Sequence, residues 1–280
     1  FDDFKSSFRE AVSIARSRGN AAQFARAVLG IGMLPPDAGA SDPGLARLSE
    51  EALTMLADGD PSLRVKLLNQ LAERLGALGW TGDERSSELT AQAVQVGRGA
   101  NDPEILAEAL YGRYFALRGP NGLKERLLVS AEIESLVGEH RIPGWEFRTC
   151  YYRGADLLEA GDPEGAWREL TRLQSAGNVI RSGHPGVVEA TEAMRALLQR
   201  SPAEAERMVE KARAAGLVRP NAVAKQIYAM QIFAVRREQG RAEELADSLR
   251  RAIARAPAML FSRCALALIS ADANRCDEVA

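Results

Sequence analysis

The chain is poor in the residues that build metal, covalent or phosphate sites. It has three cysteines and two histidines in 280 residues, and Cys150, Cys264 and Cys276 fall in no spacing that suits a set of metal ligands. A sparse, odd number of thiols is typical of a reducing compartment. No Gly-x-x-x-x-Gly-Lys phosphate loop occurs. The sequence therefore predicts no metal site, no cofactor and no phosphate loop.

Long apolar runs and an excess charge of one sign are also lacking. Lys and Arg number 36 against 38 Asp and Glu, a net charge of −2, which leaves no electrostatic footprint for nucleic acid or an anionic membrane. No apolar segment approaches the roughly 18–20 residues that cross a bilayer, and residues 1–5 show no signal-peptide pattern. We expect a cytoplasmic protein without membrane or nucleic-acid contacts. The first residue is not Met and no cap is evident at the other end, which suggests a segment excised from a longer chain.

Candidate catalytic residues are few and form no pattern. His140 and His184 stand at the expected edges of hairpins, outside any His-x-x-x-His spacing. Gly30-Ile31-Gly32 lacks the preceding strand of a dinucleotide fold, and no Gly-x-Ser-x-Gly elbow supports a serine nucleophile. Adjacent carboxylates such as Glu50-Glu51 suit an exposed helix start. We therefore expect no catalytic residue and no enzyme activity.

The sequence is rich in helical hairpins, and the clearest runs from Asp102 to Ile142. Asp102-Pro103 is a start signal, because Asp caps free amide groups and Pro needs no amide partner in the first turn. The run from Ile105 to Leu117 is apolar nearly all round, which indicates a buried inner helix. The turn at 119–122 ends it, and a more amphipathic helix follows from Leu123 to about Leu136.

The same design recurs along the chain. Inner helices begin near 61, 103, 143, 184, 221 and 257, at intervals of 42, 40, 41, 37 and 36 residues. Alternating strand patterns are absent, and a two-helix unit of this length must stack on its neighbours to bury its apolar face. The sequence predicts an all-α fold of about fourteen helices, arranged as a right-handed α-solenoid of tetratricopeptide-like hairpins. A compact helical bundle is the alternative.

The predicted array is one domain over 1–280, with irregular repeats in 1–60 and regular repeats in 61–280. A loop from Gly30 to Gly44, which contains Pro35-Pro36, should separate the second helix from the third. The expected helices and hairpins lie at 3–18, 21–29, 45–56, 61–96, 103–138, 143–176, 184–215 and 221–255, with a final single helix from about 258 to 271.

One cluster stands above the background of a chain that is only 6% aromatic. It lies on the two central inner helices, and its aromatic and arginine side chains are of the types that anchor ligands by stacking and multidentate hydrogen bonds. The alternative is that the rings fill the interface between repeats while the arginines pair with neighbouring carboxylates. The candidate residues for binding a ligand or partner are Tyr111, Arg113, Tyr114, Trp145, Arg148, Tyr152 and Arg153, with Arg118 and Tyr151 beside them.

Two of these arginines occupy equivalent places in successive units. Arg113 and Arg153 each follow by ten residues the proline that opens their unit, so a regular solenoid would set them side by side on its concave face. Adjacent guanidinium groups repel one another unless negative charge offsets them. We expect a groove that accepts an acidic segment or a small anion, with Trp145 and Tyr152 as stacking surface. Alternatively, Glu108 and Asp156 neutralise the pair.

Three stretches resemble a known bacterial family: residues 102–120, Asp83-Glu84-Arg85 with the helix after it, and Gln231 to Arg241. They are similar to the C-terminal tetratricopeptide-like region of large signalling ATPases. In that family an AAA or STAND-type ATPase module is joined to the helical array. A LuxR-type or SARP-type DNA-binding domain, or a class III nucleotide cyclase domain, lies elsewhere in the chain. The likeness covers roughly residues 20–270.

The resemblance implies a non-catalytic sensor arm that binds a protein or small-molecule effector in its concave groove. The arm would control an ATPase module in the same full-length chain of a bacterial signalling or transcriptional regulator. A stand-alone scaffold that recruits a protein partner is the alternative, and homo-oligomer formation is open in both cases.

Overall fold

The computed structural model describes residues 2–33, 43–75, 84–119, 121–175, 186–216, 222–255 and 260–275. Within these ranges every regular element is a helix and no strand occurs, so the all-α prediction is confirmed. None of the described helices combines the length and apolar character that crossing a bilayer requires. The described residues form fourteen α-helices: α1 (Asp2–Ser17), α2 (Ala21–Gly32), α3 (Pro43–Leu56), α4 (Pro61–Leu75), α5 (Glu84–Gly99), α6 (Pro103–Ala116), α7 (Leu123–His140), α8 (Glu146–Glu159), α9 (Pro163–Ser175), α10 (Val187–Leu198), α11 (Pro202–Gly216), α12 (Ala222–Glu238), α13 (Ala246–Arg255, after a 3₁₀ turn at Ala242–Leu245) and α14 (Leu260–Asp272).

The helix starts follow local capping chemistry. The Asp102 carboxylate accepts hydrogen bonds from the amides of Glu104 at 2.9 Å and Ile105 at 3.4 Å, with Pro103 in the first turn of α6. This is the start signal that the sequence predicted. Asn20 caps α2 in the same way through the amide of Gln23. Because a cap satisfies amide groups that have no partner inside the helix, it fixes where the helix begins.

The prediction of a loop from Gly30 was wrong, since α2 continues through Gly32. A Cβ on Gly30 would lie 2.2 Å from Cε1 of Phe8, and one on Gly32 would lie 1.9 Å from Oε1 of Gln70. These glycines admit side chains of neighbouring helices rather than end their own helix. Residues 34–42, the rest of that loop, lie outside the described residues.

The hairpin predicted at 143–176 also starts later than its proline suggests. Gly144 adopts the left-handed conformation with φ +80°, which an α-helix cannot continue through, and α8 begins at Glu146. Ile142 and Trp145, on either side of the turn, are both buried. The distance from Pro143 therefore does not set the register of α8 against α6.

The chain divides into two compact units, Phe1–Glu169 and Leu170–Ala280, with the division inside α9. In the first unit each helix from α1 to α7 packs against the next, and α2 also packs against α4 and α4 against α6. The α6–α8 contact is made by side chains, among them Tyr111 and Tyr152. We call α2, α4, α6 and α8 row helices, because each contacts the one two places away, and the odd-numbered helices cover helices.

The second unit has the same order of contacts. Helix α10 packs against α11 and α12, α11 packs against α12, and α13 packs against α14. The rings of Phe233 on α12 and Phe261 on α14 lie 6.0 Å apart, so α10, α12 and α14 are its row helices. The serial packing agrees with the predicted array, while the tetratricopeptide-like solenoid, its right-handed superhelix and the single domain over 1–280 stay predictions.

Candidate binding surface

Five of the seven candidate residues come together where α6 and α8 meet. The hydroxyls of Tyr111 and Tyr152 are 3.4 Å apart, and the ring centroids of Tyr111 and Trp145 are 5.9 Å apart. The ring of Tyr114 lies 5.4 Å from that of Tyr152. The guanidinium of Arg148 lies 4.6 Å from the Tyr111 centroid and 4.8 Å from that of Trp145. Five residues that the sequence analysis placed in one cluster are therefore in contact.

The aromatic side chains of this group form a packed interface. Tyr114 and Trp145 are only 3% and 5% exposed, and Tyr111 and Tyr152 are half-buried. The cavity that their rings help to line has a volume of about 10 Å³, which is room for a single water molecule. The edge-to-face arrangement of the rings adds about 0.5–1.5 kcal/mol for each pair beyond simple burial. The interior of the α6–α8 contact is therefore a stabilising core without space for a ligand.

Arg148 lies at the exposed edge of this interface. Its side chain is 40% exposed, and its Nη1 lies 3.4 Å from Oε2 of Glu108, a longer separation than the roughly 2.7–2.9 Å of a strong charge-assisted hydrogen bond. The two ring faces attract the guanidinium and restrict its orientation. Arg148 is thus the candidate that reaches solvent while its plane is held in place.

Arg113 and Arg153 contact cover helices instead. Arg113 donates from Nη1 to the carbonyl of Ser87 on α5 at 2.9 Å, and from Nη2 to Oε1 of Glu125 on α7 at 2.6 Å. Nε of Arg153 lies 3.2 Å from Oε2 of Glu134 on α7, and 3.7 Å from Oε1 of Glu169 on α9. Each arginine therefore joins the cover helix before it to the cover helix after it.

Carboxylates of the cover helices, rather than Glu108 and Asp156, neutralise Arg113 and Arg153. The second unit holds a third example, since Arg236 on α12 lies 2.7 Å from Glu206 on α11 and 3.2 Å from Glu244 in the 3₁₀ turn before α13. We call this arrangement, a row-helix arginine between two cover segments, the arginine clasp.

A buried charged group on α7 was missed by the sequence reasoning. The side chain of Arg126 is 4% exposed, and its Nε donates to Oδ1 of Asp156 at 2.9 Å. Its other nitrogens donate to the carbonyl of Leu117 at 3.1 Å and to Oε2 of Glu159 at 2.5 Å. The hydroxyl of Tyr114 donates to the same Asp156 oxygen at 3.0 Å. We call these residues the Arg126 hub, which ties α6, α7 and α8 together.

The hub shifts the titration of its members. Burial raises the pKa of Asp156, against the hydrogen bonds from Arg126 and Tyr114, which lower it. Burial also raises the pKa of Tyr114, and the charge of Asp156 adds to the effect. The signal in the sequence was the position of Arg126, because Val129, Ser130 and Ile133 follow it at i+3, i+4 and i+7 and all are buried. A charge on the apolar stripe of a helix indicates a buried partner.

The remaining candidate chemistry is sparse in the part of the chain that the structure describes. No three His, Cys, Asp or Glu side chains there are placed to hold a metal ion. Cys150 is buried and Cys264 is exposed, both outside any disulfide among the described residues, and Cys276 lies outside the described ranges. The chain matches no protein-family model, and no curated protein matches it.

Proposed function

We propose that the chain is a regulatory, non-catalytic arm that binds an acidic effector or an acidic protein segment at the exposed edge of the α6–α8 contact. The observation that carries the proposal is the placement of Arg148 against Tyr111 and Trp145, with 40% of its side chain exposed. A guanidinium that aromatic faces hold in one plane loses little freedom when it binds a carboxylate, which favours affinity.

Glu108 supports this role of Arg148, although it would compete with an incoming carboxylate for the guanidinium. Its carboxylate, 32% exposed, lies 3.4 Å from Arg148 and shows that a carboxylate can reach the guanidinium from the α6 side. An arginine presents several N–H donors, so an incoming carboxylate can share Arg148 with Glu108 or take its place. Arg113 and Arg153 are less suited, because each already lies between carboxylates or carbonyls of cover helices.

The regular packing supports the solenoid that this function requires. Row helices contact one another in series, and the arginine clasp recurs at Arg113, Arg153 and Arg236. Repeated inter-helix contacts at a nearly constant interval are typical of stacked repeats. In the proposed superhelix the edge with Arg148 belongs to the concave face. The family resemblance adds the expectation that an effector bound there controls an ATPase module in the same full-length chain.

The test uses acidic peptides as probes. An array of twelve-residue peptides rich in Asp and Glu is screened with the chain, and the peptides that bind are measured by calorimetry. We expect Arg148→Gln to weaken binding by about tenfold or more, as loss of a central arginine anchor usually does. Arg98→Gln is the matched control, because Arg98 is an exposed arginine of a cover helix, paired with Glu132, and should change little.

Peptides that bind Arg148→Gln as tightly as the unmodified chain would contradict the proposed anchor. Equal weakening by Arg148→Gln and Arg98→Gln would indicate attraction to overall positive charge rather than a site. Circular dichroism of both variants checks that their helix content is unchanged.

A further inference from the structure

Arg148 lies in a corner that two aromatic rings form. The planes of Tyr111 and Trp145 stand at 84° to one another, and the guanidinium carbon of Arg148 lies 4.6 Å from one ring centroid and 4.8 Å from the other. The carboxylate of Glu108 adds a negative charge 3.4 Å from Nη1. Aromatic faces around a cation are what proteins use to bind organic cations. We call Tyr111, Trp145 and Glu108 the cation site, and the arginine of the chain itself occupies it.

Local spacing along two row helices supplies the parts of the cation site. Glu108 and Tyr111 are three residues apart on α6, and Trp145, at the start of α8, precedes Arg148 by three residues. Side chains three residues apart are neighbours on the surface of a helix. One turn of α6 and the first turn of α8 therefore form the whole site.

Packing behind the rings holds them in place. Trp145 is 5% exposed. The ring of Tyr111 packs edge-to-face against Phe115 with centroids 4.9 Å apart, and its hydroxyl lies 3.4 Å from that of Tyr152. The cavity beside these rings has a volume of about 10 Å³, which is too small for a ring to turn into. The corner therefore stays open to another cation if Arg148 leaves it.

The ionic contact of Arg148 is looser than that of another arginine that lies over a tyrosine. In the second unit, the guanidinium of Arg213 lies 5.8 Å from the Tyr228 centroid, while its Nε donates to Glu210 at 2.7 Å. Arg148 is closer to its rings and farther from its carboxylate, and 40% of its side chain is exposed. Rotation about side-chain bonds can therefore carry its guanidinium out of the cation site without moving the backbone.

An acidic ligand that draws Arg148 outward leaves two costs behind. The carboxylate of Glu108 loses the cation beside it and repels the incoming carboxylate at close range. The faces of Tyr111 and Trp145 lose their cation as well. A ligand that brings a cation of its own offsets both costs, because that cation refills the site and neutralises Glu108.

We propose that the partner at this edge is a protein segment in which an arginine stands beside an acidic residue. The acidic residue binds Arg148, which is the proposed function on which this inference rests. The partner's arginine enters the cation site between Tyr111, Trp145 and Glu108. The exchange replaces one guanidinium by another, in a site whose distances already suit a guanidinium. The edge therefore selects a segment of mixed charge rather than one that is only acidic.

The first experiment tests the cation site without any peptide. Arg148→Ala empties the site, and methylguanidinium is added at millimolar concentrations while NMR follows the indole N–H resonance of Trp145, assigned with Trp145→Phe. We expect saturable binding to Arg148→Ala, and binding to the unmodified chain that is weaker by about tenfold or more, because its own guanidinium fills the site. Replacing Glu108 by Gln in the Arg148→Ala chain should weaken the binding.

Arg213→Ala is the matched control, because it removes an arginine from the face of a tyrosine outside the cation site. The Trp145 resonance of this variant should respond to methylguanidinium like that of the unmodified chain. Circular dichroism checks the helix content of each variant, and Arg148→Ser replaces Arg148→Ala if the latter loses helix content.

The second experiment tests the exchange in the unmodified chain. Three twelve-residue peptides share a central Glu and differ only in the residue after it, which is Arg, Lys or Gln, and calorimetry measures their binding. The Arg peptide should bind about threefold to thirtyfold more tightly than the Gln peptide, with the Lys peptide between them. In Glu108→Gln this advantage should shrink, while the Gln peptide gains affinity because a repelling carboxylate is gone.

The inference is overturned if Arg148→Ala takes up no methylguanidinium, or takes up no more than the unmodified chain does. It is also overturned if the Arg and Gln peptides bind equally, or if the advantage of the Arg peptide is unchanged in Glu108→Gln. The acidic-ligand function fails in a different way. In that case peptides bind Arg148→Gln as tightly as the unmodified chain, even where Arg148→Ala takes up methylguanidinium.

Discussion

Removing the carboxylate of Asp156 should destabilise the first unit far more than removing that of Glu159, although both accept hydrogen bonds from Arg126. In Asp156→Ala the guanidinium stays buried and charged, since an arginine cannot lose its proton. Loss of one partner of a buried pair costs about 3–5 kcal/mol. The hydroxyl of Tyr114 also loses its 3.0 Å hydrogen bond and keeps only the carbonyl of Tyr152 at 3.4 Å, which costs about 1 kcal/mol. The side chain of Glu159 is 51% exposed, so Glu159→Ala should cost less than about 1 kcal/mol.

Arg126→Met removes the guanidinium of the same pair and leaves the carboxylate of Asp156. The carboxylate that stays behind can bind a proton, and burial already raises the pKa of Asp156. Without Arg126 that pKa should rise further, above the roughly 3.9 of an unfolded chain. The folded state then binds the proton more tightly than the unfolded state, so the free energy of unfolding rises as the pH falls through the raised folded pKa towards the unfolded value of roughly 3.9. Asp156→Ala should show no such recovery.

The measurement is urea unfolding of the three variants at about pH 7 and about pH 5. Hydrogen exchange of the amides in α6, α7 and α8 should accompany it, because arrays of helices open locally. Equal losses in Asp156→Ala and Glu159→Ala would refute the reasoning, as would a cost of Arg126→Met that does not change with pH.

Three further predictions follow from single contacts. Gly112→Ala should lower the free energy of unfolding by about 1–3 kcal/mol, because its Cβ would lie 2.0 Å from Oδ1 of Asn69. Gly138→Ala, with no atom within 4 Å, should instead raise it by up to about 1 kcal/mol, and urea unfolding compares the two. Burial raises the pKa values of both tyrosines of α6, so tyrosinate absorbance should appear at higher pH in the folded chain than in urea, and stability should fall as the pH rises above about 10. Arg113→Gln should lower the free energy of unfolding by about 1–3 kcal/mol and Arg98→Gln by under about 1 kcal/mol, because the two arginine side chains are 16% and 61% exposed. Equal melting temperatures of the two variants would contradict a stabilising role of the arginine clasp.

Features that depend on neighbouring residues or on the repeat interval could be predicted from the sequence. The start of α6 follows from Asp102-Pro103, because the cap and the amides that it satisfies are neighbours in sequence. The contact between the aromatic residues of α6 and α8 also followed, since the interval of about 40 residues brings successive inner helices together. The first prediction rests on neighbouring residue types and the second on the repeat interval, and neither needs knowledge of distant side chains.

Features that depend on a distant side chain could not be predicted. A glycine that ends a helix and one that admits a neighbour look alike in sequence, and Gly32 is identified only by Gln70 on another helix. The apolar stripe of α7 indicates that Arg126 is buried, but its partner Asp156, thirty residues further on, is identified only by the hydrogen bond between them. The sequence signal of the arginine clasp was only partly used: the recurrence of Arg113 and Arg153 at an interval of 40 residues was noted, while Arg236, 83 residues after Arg153 and thus about two intervals further on, was not.

The arginine clasp also limits how a chain of this kind can gain or lose repeats during evolution. Arg153 contacts Glu134 on the preceding cover helix and Glu169 on the following one, so its environment comes from three consecutive helices. A duplication that copies a two-helix hairpin carries the arginine with one of these carboxylates and depends on the new neighbour for the other. The smallest block that moves with its clasp complete is cover, row and cover. We therefore expect exchanges of repeats to succeed where the incoming cover helix already has an acidic residue at the matching position, and row arginines to change together with glutamates on both sides.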